Sequence, residues 1–177
     1  MKIPAFIFLL LLAAMSCFSQ QAGDAINWKK GQKLTWADYK GSPKPESGAA
    51  ASTATLITIG YNIGPAGFTY KISSTFSPSK SWVLHKTDHI LGHEQGHFDI
   101  AEIYARKLHQ RMKDYKFDKE NYSTQLRKIY DDTVREKESM QEAYDRETNH
   151  SIDKDKQAEW LSRIAKLLKE TEPWSDY

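Results

Sequence analysis

Apolar positions along this chain change their spacing several times, and each change marks a different backbone. Residues 3–15 are an almost unbroken apolar run, interrupted only by Pro4. From Trp28 to Tyr39 the apolar anchors thin out to Leu34, Trp36 and Tyr39. Gly41 to Gly48 holds two prolines, two serines and a glutamate, a loop composition. Ala49 to Ile63, rich in Ala, Thr and Ile, predicts a strand. Gly64-Pro65-Ala66-Gly67 is a turn signal. Beyond it Phe68, Tyr70, Ile72, Ser74 and Phe76 alternate with Thr69, Lys71, Ser73 and Thr75. Two such runs around a turn predict a β-hairpin.

Ser77-Pro78-Ser79 breaks the alternation, and the period then becomes helical. Ile90, Phe98, Ala101, Ala105, Leu108 and Met112 recur mostly at three- and four-residue steps, predicting a helix over about 84–114. Leu126, Ile129, Val134, Met140 and Tyr144 mark a second over about 121–149. Trp160, Leu161, Ile164, Leu167 and Leu168 give a third, over about 154–170, its apolar face. No internal repeat is visible. The expected fold class is α+β: a small antiparallel sheet, then a long helix and two further helices packed on it.

The apolar N-terminal run is short for a membrane span, which needs about 20 residues. With Lys2 before it and small residues flanking Phe18, it reads as an export signal over residues 1–19, leaving residues 20–177 as a single exported domain. The protein is thus expected in the periplasm or outside the cell, with no membrane span in the mature chain. The alternative is a lipoprotein anchored through Cys17, the one cysteine of the sequence. The net charge of +2 is spread without a basic block, which argues against a nucleic-acid partner. Sequence gives no oligomeric state.

The chemistry gathers at His93-Glu94-Gln95-Gly96-His97. Two histidines four residues apart share one helix face and can hold one Zn²⁺, at Zn–N distances of about 2.0–2.1 Å. Glu94 lies beside the metal, where it can take a proton from the water the metal activates and later pass it to a leaving amine. Gly92 and Gly96, unfavourable inside a helix, allow either a substrate or a packed element to approach closely. His85 and His89 extend the i+4 spacing into a ladder, and a His-rich helix could hold metal without catalysis. Glu directly follows the first His only in the last pair, so His85 and His89 read as structural or surface residues. The preceding hairpin could offer an edge strand to an extended peptide.

A catalytic zinc usually has three protein ligands. Glu102 is about 140° and Asp99 about 200° around the helix from His97, so both point away. The other cluster of His and acidic residues is Tyr144-Asp145-Arg146-Glu147-Thr148-Asn149-His150, at the end of the second long helix. His150 is the favoured third ligand, with Glu147 and then Asp145 as alternatives. Asp145 could instead orient a ligand imidazole. Tyr144 reads as a core aromatic, with oxyanion stabilisation as its functional alternative.

Three segments together resemble an uncharacterised bacterial family whose members are described as predicted secreted zinc-dependent proteases. They are Leu34-Thr35-Trp36-Ala37-Asp38-Tyr39-Lys40-Gly41, then Gly92-His93-Glu94-Gln95-Gly96-His97-Phe98-Asp99-Ile100-Ala101-Glu102, then Tyr144 to Ser151. The resemblance spans about 28–168. It implies a zincin-like fold, zinc at His93 and His97, Glu94 as base, and importance for His150. Ser151 departs from the Gly expected in many relatives. The function expected is peptide-bond hydrolysis by a zinc-dependent metallopeptidase acting on a peptide or protein. Its alternatives are a non-catalytic metal-binding protein and an envelope interaction module.

Overall fold

The computed structural model describes residues 25–65 and 67–177; the expected export segment, residues 1–19, lies outside them. The fold is a mixed α+β arrangement of small antiparallel sheets and long helices. The hairpin forms as expected from β3 (Thr55–Gly64) and β4 (Gly67–Phe76), in register from Thr55↔Phe76 to Gly64↔Gly67. Gly67 has φ +96, a left-handed value that a side chain would oppose. The apolar alternation of β4 faces inward, with Ile72, Ser74 and Phe76 buried. A short β1 (Ile26–Asn27) adds to β4 on its other side, giving the order β1-β4-β3.

The expected strand over Ala49 to Ile63 is two strands. β2 (Ala51–Ser52) pairs with β5 (Trp82–Val83) in a separate ribbon, and β3 joins the hairpin sheet. The chain changes sheets at Ala54, whose N–H donates to Ser81 Oγ at 2.9 Å and whose carbonyl accepts from Ser77 N–H at 2.9 Å. Composition alone carries no trace of this switch, because both halves are equally suited to extended backbone.

Helix α1 (Asp88–Asp114) begins later than periodicity predicts. The Leu84 and His85 N–H groups donate to Ala50 O at 2.8 and 3.1 Å, continuing the β2–β5 pairing. Thr87 then caps the helix, its hydroxyl accepting from Ile90 N–H at 3.1 Å. His85 is therefore exposed before the helix starts, and the four-histidine ladder does not form. Helix α2 (Tyr122–Glu147) and α3 (Lys154–Glu170) match their predicted spans within two residues.

Helix α1 is the axis of the molecule. Ile100, Ile103 and Leu108 join Ile57 and Ile72 of the hairpin, Tyr144 of α2, and Trp160 and Ile164 of α3 in the main core. Phe98 packs with Leu34, Tyr39 and Phe76 in a second cluster. The polar side of α1 is also enclosed. Asp99 accepts from Trp28 Nε1 and Gln95 Nε2, both at 2.8 Å. Glu102 accepts from Arg106 Nε at 2.8 Å and from the Tyr177 hydroxyl at 2.6 Å. Asp99 and Glu102 thus serve packing and stand apart from the histidines, as their helical phase predicted. No helix among the described residues is long and apolar enough to cross a membrane.

Candidate metal centre

The site forms where α2 runs back along α1. His93 and His97, one turn apart on α1, bring their Nε2 atoms to 3.2 Å from one another. Asp145, near the end of α2, places Oδ1 at 3.0 Å from both. These three ligand atoms from two rigid helices form a group that could hold a metal ion. Their spacing suits the ion: donors at about 2.0–2.1 Å in tetrahedral directions lie about 3.4 Å apart.

Hydrogen bonding around His97 gives an independent test of that fit. Gln141, one turn before Asp145 on α2, donates from Nε2 to the His97 carbonyl at 3.0 Å. Its Oε1 is then the atom that meets His97 Nδ1, so Nδ1 carries the proton of the neutral ring. The lone pair of His97 Nε2 is left facing the Asp145 carboxylate. Two electron-pair donors at 3.0 Å demand a cation between them, either a proton or a metal ion. A second sign is that His93 Nδ1 and Glu94 Oε2 are buried with no hydrogen-bond partner.

Burial lowers the His93 pKa, and this outweighs the Asp145 hydrogen bond. Burial acts likewise on His97, but the Asp145 hydrogen bond and charge, Glu94 and Gln141 together raise it. For Asp145, burial favours the protonated form, yet hydrogen bonds and charge from His93 and His97 hold the carboxyl well below the usual carboxylate range. At neutral pH it is an anion ready to ligate.

The group opens onto a cleft of about 500 Å³. Residues 49–55 line it on one side, His93, Glu94 and His97 of α1 contribute from within, and α2 lines it from Lys137 to Asp145. Glu94 is 4 % exposed and lines the cleft without belonging to the three-ligand group. Strand β2 has no partner on its outer edge among the described residues.

The sequence-derived site residues divide. His93, Glu94 and His97 come together at the cleft. His150 also lines it, but its side chain is 67 % exposed and its Nδ1 lies 3.8 Å from Asp145 Oδ1. Asp145, the last-ranked alternative, occupies the third corner. Glu147 turns toward α3 and accepts from Trp160 Nε1 at 2.9 Å. Tyr144 is fully buried and stacks on His93 with ring centroids 4.3 Å apart. A Cβ on Gly96 would come within 2.6 Å of the Tyr144 hydroxyl, so this glycine serves helix packing. His89 is structural: its Nε2 donates to Ser151 O at 2.6 Å, and Gln157 Nε2 donates to its carbonyl at 2.8 Å. Gln141 was missed, although one helical turn back from Asp145 is where a partner on the same face would stand.

Fold and site together define an α+β protein with a partly buried two-histidine, one-aspartate group, beside a buried glutamate, that could hold a metal ion. The chain belongs to the family described as bacterial protein of unknown function (DUF922), whose profile matches residues 33–151. That span includes every member of the metal group and ends one residue beyond His150. No curated protein and no solved structure gives a significant match.

Proposed function

We propose that this chain is a zinc-dependent metallopeptidase of zincin-like fold, with His93, His97 and Asp145 as ligands and Glu94 as general base, acting on peptides or proteins after export. The observation that carries the reading is the convergence of His93 Nε2, His97 Nε2 and Asp145 Oδ1 beside a buried carboxylate with one unpartnered oxygen. Two imidazoles and a carboxylate are a donor set that zinc accepts, and three protein ligands leave a coordination position open. A bound Zn²⁺ supplies Lewis acidity, polarising a substrate carbonyl and making water acidic enough to ionise near neutral pH.

The chain's own groups do the rest. Glu94 takes one proton from the attacking water as its oxygen bonds to the scissile carbonyl carbon. It returns that proton to the amine nitrogen as the C–N bond breaks, so the carboxylate is regenerated and no co-reactant is consumed. The free edge of β2 supports a peptide substrate, because an extended chain can pair with it along the cleft. His150 stands next to Asp145 as the remaining ligand choice; its replacement by Ala is expected to weaken zinc binding less than Asp145→Asn. A purely metal-storing helix has less support, since His85 is off the helix and His89 is occupied by Ser151 and Gln157.

The test pairs metal content with turnover. Residues 20–177, purified and loaded with zinc, should carry one ion per chain and cleave an unstructured protein such as casein. Glu94→Gln should keep the ion and lose at least about a hundredfold in kcat, the scale of general acid–base assistance. Unchanged turnover in Glu94→Gln removes Glu94 from the mechanism, and zinc-replete wild type without hydrolysis defeats the peptidase reading.

A further inference from the structure

The inner stripe of α2 contains a residue that core packing does not call for. Thr133, Lys137, Met140 and Tyr144 follow one another at four-, three- and four-residue steps, and all are buried. A lysine in such a stripe lays its stem along apolar neighbours and needs a polar outlet for its ammonium. Here the outlet is the cleft, which Lys137 lines together with His97, Gln141 and Asp145. Its side chain is only 6 % exposed. Among the described residues the one carboxylate that pairs with it is Glu138, with Nζ–Oε1 at 2.8 Å. That partner is the adjacent residue and is 55 % exposed. Such an ion pair stabilises little by itself, whereas burying an ammonium is costly.

We propose that Lys137 anchors a carboxylate of the substrate, with Glu138 holding the place of that carboxylate in the free protein. The inference rests on the metal-bearing cleft being the substrate cleft. Lys137, Gln141 and Asp145 follow at four-residue steps, about 6 Å apart along the axis of α2. The metal group lies level with Gln141 and Asp145, which puts the ammonium about 6–12 Å away along the cleft. An extended peptide advances about 3.3 Å per residue, so the carboxylate sits about two to four residues from the scissile bond. It can be an Asp or Glu side chain or the peptide's own C-terminus.

Glu138 and Glu142 on the same wall could instead draw a basic side chain. Both are exposed, and water screens them. The Lys137 side chain is shielded from solvent, so its field in the cleft is screened less than theirs. The structure therefore favours an anionic group over a cationic one at this position.

The test uses fluorescein-labelled, C-terminally amidated Ala/Ser octapeptides in which a single Glu is moved through each position, with matched Gln and Lys sets. An all-Ala octapeptide as free acid and as amide reports on the C-terminal source. Binding to the zinc-loaded Glu94→Gln chain is read by anisotropy, and cleavage is followed with wild type. One Glu position, or the free acid, should bind about tenfold or more tighter than its neutral counterpart. Lys137→Met should erase that difference, and Lys137→Arg should retain part of it. Zinc content of each variant reports an intact fold, with Lys137→Gln as the second neutral replacement. Equal binding of Glu and Gln peptides, tighter binding of the Lys set, no binding of any peptide, or a difference that survives Lys137→Met overturns the proposal. A Lys137-dependent preference without cleavage by wild type keeps the anchor and defeats the peptidase reading.

Discussion

His97 shows how much one side chain's surroundings decide. Gln141 grips it twice, at the backbone carbonyl and at Nδ1, and so aims the Nε2 lone pair at Asp145 and His93. Partners of this kind fix tautomer and ring orientation, and their loss typically costs about 10–100-fold in metal affinity. Gln141→Ala is therefore expected to weaken zinc binding within that range, measured by competition with a chromophoric chelator, while Gln141→Glu, which can still accept from Nδ1, recovers part of the loss. Unaltered affinity in Gln141→Ala would mean that the hydrogen bonds do not orient the ligand. The sequence showed the local half of this site, because i,i+4 spacing on one helix fixes two histidines and a neighbouring glutamate without tertiary information. It did not rank Asp145 first. Residue chemistry favours His150, yet His150 lies beyond the end of α2, Glu147 turns to Trp160, and Asp145 lies on the regular helix facing α1.

The turn after α2 is the element under most strain. Asn149, His150 and Ser151 have φ values of 48, 51 and 71, three successive left-handed residues of which none is glycine. Left-handed backbone costs a side chain roughly 1–2 kcal/mol per residue. The cost is met by neighbours: Thr148 is fully buried, His150 N–H donates to Asp145 O at 2.8 Å, and His89 holds the Ser151 carbonyl. Ser151, which has the largest φ of the three, is the natural place to relieve it. Ser151→Gly should raise unfolding free energy by about 0.5–1 kcal/mol in urea denaturation, the relief being partly cancelled by the freer unfolded chain. A loss of stability would show that the serine side chain contributes more than its backbone costs. At this scale the hairpin and α3 were legible because alternation and helical stripes are local. The switch of sheets at Ala54 and the late start of α1 were not, because the first depends on Ala54 meeting Ser77 and Ser81 and the second on Ala50 meeting residues 84–85.

Across the whole molecule, the fold exists to enclose one helix. The hairpin sheet, α2 and α3 cover the apolar sides of α1. The segments at the two ends of the described chain cover its polar side, through Trp28 to Asp99, Arg106 to the Leu168 carbonyl and Tyr177 to Glu102. Held on its apolar and polar sides, α1 presents His93 and His97 to the cleft, and α2 delivers Asp145, Gln141 and Lys137 to it. The general α+β layout could be read from apolar spacing alone. The buried polar seam could not, since charged residues on a helix are ordinarily read as a solvated face. In the proposed site, side chains from two helices make one metal centre and leave Glu94 free as a base. A crystal structure of the zinc-loaded chain with anomalous data at the zinc edge tests this most directly. The expected result is a single peak about 2.0–2.2 Å from His93 Nε2, His97 Nε2 and an Asp145 oxygen, with Glu94 outside the coordination sphere. A peak bound elsewhere, a peak ligated by Glu94, or no peak in zinc-replete crystals would contradict it.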